Sequence, residues 1–312
     1  MAFTMHSHSG QFCPGHAKDE LEDVIKHAIS LGYTTMGLTE HMPRTSLDDL
    51  YPEELDDPEG SLAVLFPRHE AYLLEAQRLQ TKYASQIHIL IGFEGEFLRP
   101  AYGPLIASLA AHPSVDYFIG SLHHIDAIPI DYDGAYYARA VAAAGGTEEA
   151  AFARYYDQQH AMLVALRPRV VGHFDLVRLL SSDPGRDVAA EWPAVWARVQ
   201  RNLRLAARGG AWLECNSSAL RKGLAEPYPS RQIAAEWLRL GGKFTLSDDS
   251  HGIAQLGTNY ARALDFLAEL GVKSVWTLRR EPHPGVVEGS EKAKLVEQEV
   301  ALESVRAVVS KW

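Results

Sequence analysis

The stretch IHILIGFEGEF, residues 87–97, joins an almost wholly apolar run to two acidic residues, Glu94 and Glu96. A short continuous apolar run is typical of a strand buried on both faces, as the strands of a parallel sheet are. The segment before it, PRHEAYLLEAQRLQTKY at 67–83, has the apolar spacing of an amphipathic helix. The two segments together predict one helix–strand unit of a parallel α/β fold.

The same alternation of short apolar runs and longer helical segments recurs along the whole chain of 312 residues. Eight runs have the composition of strands: 2–5, 35–39, 87–93, 115–122, 169–172, 211–215, 243–246 and 274–278. Repeated units of this kind predict a TIM-like barrel, and we expect a single domain over 1–312. We also expect long loops near 44–66 and 125–150 and a C-terminal helix near 291–309.

The composition argues against broad contacts with nucleic acid or membranes. A net charge of −10 disfavours general binding to polyanions or anionic lipids, although it leaves room for a small anionic substrate. No apolar run approaches about 18 residues, the length that a membrane-spanning helix needs. Two cysteines far apart, Cys13 and Cys215, do not make a disulfide framework. We therefore expect a cytoplasmic protein, while the oligomeric state stays open.

Ionisable residues follow the predicted strands at the points where the strands end. In chain order they are His6 and His8, Glu40 and His41, Glu94 and Glu96, His123 and His124, His173 and Asp175, Glu214 and Asn216, and Asp248, Asp249 and His251. Because the carboxyl ends of parallel barrel strands meet at one rim, we expect these side chains to converge there.

The donor types at this rim predict a metal cluster. Imidazoles and carboxylates without thiolates suit Zn²⁺, Mn²⁺ or Fe²⁺ in a catalytic site. The donors are too many for one ion, so two or three divalent ions are expected. Two residues stand apart from this prediction: a structural ion pair is the favoured role for Glu96, and His124 is open to either a structural or a substrate-binding role.

At these residues the sequence resembles the polymerase and histidinol phosphatase (PHP) superfamily, in its histidinol-phosphatase branch of fungal type. The matching motifs are HSH at 6–8, TEH at 39–41, GFE at 92–94, SLH at 121–123, GH at 172–173 and DSH at 249–251. Longer stretches point to the branch: LTEHMPR at 38–44, GSLHHIDAIPIDYD at 120–133, GHFDLVRL at 172–179 and LECNSSALRKGLAEPYPSRQI at 213–233. The resemblance implies a distorted (β/α)7 barrel.

The resemblance also implies three metal positions. Their ligand sets would be His6, His8, Glu94 and Asp249; then His16, His41 and His251; then Glu94, His123 and His173, with Glu94 as the bridging carboxylate. His16 is the least secure ligand, because the length of its loop varies between members of the family.

The activity implied by the resemblance is hydrolysis of L-histidinol phosphate, a small phosphate ester of histidine biosynthesis. A metal-bound hydroxide would attack phosphorus, with Asp249 or His251 handling the protons. The implied substrate contacts are Arg221, Arg178 and Arg44 for the phosphate, Asn216 and Ser217 as hydrogen-bond donors, and Asp126, Asp131 and His124 for the rest of the substrate. Two alternatives stay open: a phosphoesterase acting on nucleotides or other small esters, and a non-catalytic metal-binding barrel.

Overall fold

The computed structural model describes residues 1–281 and 292–312, and its centre is a parallel α/β barrel. The strands along the chain are β1 (Ala2–Thr4), β2 (Ser7–His8), β3 (Tyr33–Leu38), β4 (His88–Glu96), β5 (Tyr117–Ser121), β6 (His124–Ile125), β7 (Ile128–Pro129), β8 (Val170–Val171), β9 (Trp212–Asn216), β10 (Lys243–Ser247), β11 (Ser250–His251), β12 (Ser274–Arg280) and β13 (Leu295–Ala301).

Seven of these strands form the barrel, in the order β1-β3-β4-β5-β8-β9-β10. Each neighbouring pair is parallel, and the two edge strands come together where the amide of Met5 donates to the carbonyl of Leu246 at 3.0 Å. The predicted barrel of seven parallel strands is therefore confirmed.

Helices cover the outside of the barrel. They are α1 (Leu21–Ser30), α2 (Pro58–Lys82), α3 (Gly103–Ala110), α4 (Gly134–Ala143), α5 (Glu148–Leu166), α6 (Val188–Glu191), α7 (Pro193–Arg208), α8 (Ser218–Arg221), α9 (Arg231–Arg239), α10 (Tyr260–Glu269) and α11 (Leu302–Val309). The first of them buries Leu21, Val24, Ile25 and Ala28, the apolar face that its sequence spacing predicts.

The barrel interior is filled by side chains and leaves no room for a larger residue at Gly37. The Tyr117 hydroxyl donates to the carbonyl of Met5 at 2.6 Å, across the strands. A Cβ at Gly37 would lie 1.9 Å from that hydroxyl oxygen and 3.1 Å from the backbone of Met5. Close packing at this layer therefore fixes how β1, β3 and β5 approach one another.

The C-terminal region differs from the expected helix near 291–309. The helix is confined to Leu302–Val309, and Leu295–Ala301 pairs with Ser274–Arg280 as an antiparallel ribbon outside the barrel. Residue 291 lies outside the described residues. Pairing with a neighbouring strand overrides the helical propensity of the charged segment LVEQEVA, a tertiary effect that local spacing does not report.

The two expected long loops lie after barrel strands, and both contain regular structure. The first holds 3-10 turns at Leu47–Asp49 and Pro52–Glu54 and runs into α2. The second begins with the β6–β7 hairpin and continues into α4. Among the described residues, no helix is both long and apolar enough to cross a membrane.

Candidate functional site

The N-terminal histidines are held by a short strand pair at the carboxyl end of the barrel. Ser7 and His8 of β2 pair in parallel with Ser250 and His251 of β11. This pairing stacks the rings of His8 and His251, with centroids 4.4 Å apart. Two motifs separated by more than 240 residues in the chain are thus joined by backbone hydrogen bonds.

Glu94 stands at the centre of the histidines that the other strands supply. Its Oε2 lies 3.1 Å from Nδ1 of His41, 3.4 Å from Nε2 of His6 and 3.6 Å from Nε2 of His8. Its Oε1 lies 3.0 Å from Nε2 of His173 and 3.3 Å from Nε2 of His123. One carboxylate therefore faces two sets of imidazoles, each with a different oxygen.

Asp249 supplies a second buried carboxylate to the same cluster. Its Oδ1 lies 3.5 Å from Nε2 of His8 and 3.6 Å from Nε2 of His6. Its Oδ2 accepts hydrogen bonds from Nδ2 of Asn216 at 3.3 Å and from Oγ of Ser218 at 3.2 Å. The backbone of Asp249 has φ +47°, a left-handed conformation that non-glycine residues rarely adopt and that functional sites often contain.

His16 lies at the rim of the cluster and points toward Glu53. Its side chain is 41% exposed, and its Nδ1 lies 3.1 Å from Oε1 of Glu53. Its ring nonetheless meets those of His251 and His41 edge-on, with centroids 4.7 and 5.4 Å apart. The structure thus brings His16 to the site, but in contact with an acid that the sequence patterns did not indicate.

Glu96 is buried beside the cluster and was expected to form a structural ion pair. Its Oε1 lies 2.6 Å from Nδ1 of His41 and 4.0 Å from Nδ1 of His123. Neither oxygen has a hydrogen-bond partner of normal geometry among the described residues. With His41 and Glu94 it forms a group of donor atoms all within 4.8 Å, so Glu96 belongs with the cluster.

Burial and mutual charge set the protonation of the cluster. Burial disfavours a charged His6, yet the carboxylates of Asp249 and Glu94 hold the pKa of His6 well above its usual range. Burial, with the neighbouring His41, lowers the pKa of His8 to about 3. Burial also disfavours an ionised Glu94, but His123 and His6 hold its pKa well below the usual range. In the absence of a metal, the carboxylates are therefore ionised, His8 is neutral and His6 holds a proton, which a bound cation would displace.

The donor set fits divalent metal ions. Buried polar atoms are normally hydrogen-bonded. Here a group of ring nitrogens has no hydrogen-bond partner among the described residues: Nε2 of His6, both nitrogens of His8 and His41, Nδ1 of His123 and His173, and Nε2 of His251. Donor atoms within 4.8 Å of one another group as His6, His8 and Asp249; His8, His41 and His251; and Glu94, His123 and His173. Imidazole and carboxylate donors of this kind match Zn²⁺, Mn²⁺ and Fe²⁺.

Glu214 supports the cluster from behind, although the sequence assigned it no role beyond its place at a strand end. Its Oε2 lies 3.1 Å from Nδ1 of His6. Its Oε1 accepts from the backbone amide of His173 at 2.6 Å and from Nδ2 of Asn216 at 2.8 Å. A carboxylate on the far nitrogen of a histidine orients the ring and raises its basicity as a ligand.

A cavity of about 450 Å³ opens above the cluster. Two cations from the end of α8 line it, Arg221 and Lys222. The Arg221 guanidinium donates to the carbonyls of Asp248 and Asp249 at 3.0 and 2.9 Å, which fixes it beside the cluster. Sequence reasoning missed Lys222, whose only signal was its position next to Arg221.

Arg178, expected to touch phosphate, is not among the residues that line this cavity. It is buried, and its Nε donates to Oδ2 of Asp175 at 2.9 Å. Its Nη2 donates to the carbonyls of Pro227 and Glu226 at 2.8 and 3.0 Å. These hydrogen bonds connect the Arg178 guanidinium to the segment before α9.

Arg44 is likewise engaged elsewhere. Its Nη2 donates to Oε1 of Glu54 at 2.6 Å, and its guanidinium stacks over the ring of Tyr51 at 4.5 Å. It lines a smaller cavity under the first loop, which shares Tyr51, His16 and His41 with the main one.

Asp126, another predicted substrate contact, does not line the cavity either. With Ala127 it forms the two-residue turn of the β6–β7 hairpin, where both residues have positive φ. Its carboxylate is held by Arg154, at 2.9 Å from Nε and 2.7 Å from Nη2. The conformation of the hairpin turn therefore accounts for the position of Asp126 beside Arg154.

Asp131 lines the cavity, whereas three other predicted contacts, His124, Asn216 and Ser217, are buried and do not line it. His124 lies with its ring centroid 5.6 Å from that of Tyr51, and burial lowers its pKa to about 4. Ser217 donates from Oγ to the carbonyl of Thr258 at 2.8 Å, and Asn216 bonds to Glu214 and Asp249.

Comparisons with known proteins agree on one family. The model of the PHP domain family matches residues 4–218. A probable histidinol-phosphatase of Schizosaccharomyces pombe is 41% identical over 283 residues, which cover 90% of this chain and 91% of that protein. A histidinol-phosphatase of Saccharomyces cerevisiae is 32% identical over 294 residues, covering 85% and 88%.

Solved structures share the fold. One from Listeria monocytogenes has a TM-score of 0.72 at 24% identity, and the match covers 83% of this chain and 99% of that one. A histidinol phosphate phosphatase from Lactococcus lactis, solved with zinc, L-histidinol and phosphate, has a TM-score of 0.66 at 20% identity, covering 88% and 96%.

Proposed function

The chain belongs to the PHP domain family, and from that membership we propose that it is a histidinol-phosphatase, hydrolysing L-histidinol phosphate to L-histidinol and inorganic phosphate. The observation that carries the proposal is the position of Glu94, with one oxygen facing His6, His8 and His41 and the other facing His123 and His173. A carboxylate so placed can bridge two metal ions. The two fungal relatives, both named for this activity, match over most of their own lengths.

We propose that two or three divalent ions, of zinc, manganese or iron, bind in this cluster. The ligand sets would be His6, His8, Glu94 and Asp249; His16, His41 and His251; and Glu94, His123 and His173. Such ions lower the pKa of a water molecule and stabilise charge on phosphoryl oxygens. His8, from the first set, has a donor atom within 4.8 Å of donor atoms of His41 and His251, from the second set. This proximity supports two adjacent metal sites. His16 lies edge-on to the rings of His251 and His41, and Glu53 contacts its Nδ1, so Nε2 would be its ligand atom.

The chain's own residues would bind the phosphate and handle the proton. Arg221 is held by two carbonyls and lines the cavity with Lys222, so positive charge faces the phosphoryl oxygens. Asp249 and His251 line the same cavity, where they would take a proton from the nucleophile and give one to the leaving alcohol. Arg178 is proposed as a positioning residue, because its donors are taken by Asp175 and backbone carbonyls.

The test is phosphate release from L-histidinol phosphate beside mononucleotides and p-nitrophenyl phosphate, each with and without a chelator. We expect kcat/KM to be higher for histidinol phosphate by more than about tenfold. We expect the chelator to abolish turnover of every substrate. Equal turnover of all substrates would indicate a general phosphoesterase, and a preference for nucleotides would indicate the nucleotide alternative. No turnover by metal-loaded protein would indicate a non-catalytic barrel.

A further inference from the structure

The segment that carries His16 is fixed by backbone hydrogen bonds beside that residue. The amide of Ala17 donates to the carbonyl of Cys13 at 2.9 Å, which closes the turn that contains His16. The amide of Lys18 donates to the carbonyl of His251 at 3.0 Å, which ties the segment to the rim of the barrel. The backbone therefore sets where His16 lies, and the direction of its ring depends on the side chains around it.

The first loop supplies two of those side chains, from the 3-10 turn at Pro52–Glu54 and the residue before it. Oε1 of Glu53 lies 3.1 Å from Nδ1 of His16. The ring of Tyr51 lies nearly parallel to that of His16, with an interplanar angle of 14° and centroids 6.0 Å apart. The turn therefore gives His16 one carboxylate at Nδ1 and one aromatic face.

Glu54, the neighbour of Glu53, holds this turn in place. Its Oε2 accepts from the amide of Tyr51 at 2.7 Å, and its Oε1 accepts from Nη2 of Arg44 at 2.6 Å. Arg44 is buried, and its guanidinium stacks over the ring of Tyr51. Because these contacts fix the turn internally, the carboxylate of Glu53 is presented in a defined position.

Glu53 itself stands outside the groups of candidate ligands. Donor atoms within 4.8 Å of one another form four groups in the described part of the chain, and Glu53 belongs to none of them. Its contact with Nδ1 of His16 leaves Nε2 of that ring as the ligand atom. A carboxylate on the far nitrogen of a histidine fixes the tautomer, orients the ring and raises its basicity. Glu53 would therefore act on a metal ion through His16.

We propose that Glu53 is a positioning residue that holds His16 in the orientation in which Nε2 binds a metal ion. The first loop thereby controls the affinity of one metal position. This inference rests on the proposed function, in which His16, His41 and His251 form one ligand set. The side chain of His16 is 41% exposed, so the ring has rotational freedom to lose when it binds a metal, and Glu53 removes that freedom in advance. The other ligand sets do not contain His16, so only one position should respond.

The experiment measures zinc binding to the metal-free full-length chain by competition with a chromophoric chelator. In Glu53→Ala we expect the affinity for one zinc ion to fall about ten- to hundredfold, with the other ions changed by less than about threefold. The number of ions bound at saturating zinc should not change, because Glu53 is not a ligand. Glu53→Gln should recover part of the loss, because its amide oxygen can still accept from Nδ1 of His16.

Two further variants separate positioning from a general structural effect. Glu59→Gln is the matched control, because Glu59 is exposed in the same region and lines neither of the two cavities. It should bind zinc as the wild type does. His16→Ala removes the ring through which Glu53 acts, so adding Glu53→Ala to it should have no further effect.

Three results would overturn the inference. They are wild-type affinity for every ion in Glu53→Ala, a loss of affinity for every ion in that variant, and a further loss when Glu53→Ala is added to His16→Ala.

Zinc binding is measured without substrate, so failure of the inference is distinguishable from failure of the proposed function. If the wild-type protein binds zinc but does not hydrolyse L-histidinol phosphate, the proposed function fails and the zinc titrations still decide the role of Glu53. If it hydrolyses that substrate and Glu53→Ala keeps wild-type affinity for every ion, only the role of Glu53 fails.

Discussion

The two ends of the barrel treat charged side chains in opposite ways. At the amino end, Glu297 accepts from Lys243 at 2.6 Å and from Arg169 at 2.8 Å, with all three side chains 35–41% exposed. At the carboxyl end, Glu94 and His6 are almost fully buried, and several of the ring nitrogens around them lack hydrogen-bond partners among the described residues.

The difference shows at which end of the barrel polar side chains lower the stability of the fold. A buried polar group without a partner costs about 1–3 kcal/mol, whereas an exposed ion pair contributes about 0–1 kcal/mol. A cluster such as that at the carboxyl end is expected only where a ligand supplies the missing interactions. The charged side chains at the amino end form exposed ion pairs that stabilise the fold slightly. Those at the carboxyl end are arranged to bind cations.

The largest effect is expected for Asp249→Asn. An amide keeps the shape but removes the charge that faces His6 and His8. We expect metal affinity and kcat/KM to fall by more than about a hundredfold, above the range for residues that only support ligands. Metal titration and steady-state kinetics measure both. Wild-type metal content in this variant would remove Asp249 from the ligand set.

A smaller effect is expected for Glu214→Gln. Glu214 contacts Nδ1 of His6 and the amide of His173 and does not line the cavity, so its loss should act through His6. We expect metal affinity to fall about ten- to hundredfold, with activity recovered at saturating metal. The matched control is Glu297→Gln. Activity that stays low at saturating metal would show that Glu214 does more than orient the ligand.

The smallest effect is expected for Glu297→Gln itself. The change breaks the contacts to Lys243 and Arg169 at the amino end. The free energy of unfolding, measured by urea denaturation, should fall by at most about 1 kcal/mol, and kcat/KM should not change. A large loss of activity would mean that a change at the amino end alters the site at the carboxyl end. That result would contradict the separate roles of the two ends.

The sequence predicted the barrel because its signal is local and repeated. Apolar runs such as 87–93 mark buried strands, and the residues after them reach the rim because parallel strands share a direction. The same reasoning predicted that His6, Glu94 and Asp249 lie close together. It predicted a helix where Leu295–Ala301 forms a strand, since that strand depends on a partner in space.

The roles of individual charged residues were less predictable than the ligand cluster. Arg178 and Arg221 both follow strand ends, but the first is bound by Asp175 and backbone carbonyls, and only the second lines the cavity. Asp126 and Asp131 lie five positions apart, and the hairpin turn places Asp126 beside Arg154. The direction of a long side chain depends on neighbours from distant elements, and local spacing does not encode them.

The most direct test of the metal cluster is the metal content of the purified protein. The chain should be purified without chelators, and zinc, manganese and iron should be measured by elemental analysis against protein concentration. We predict two or three ions per chain in fully active protein, and we expect the metal content and the activity to fall together as the ions are removed. Full activity with fewer than two ions per chain would contradict it.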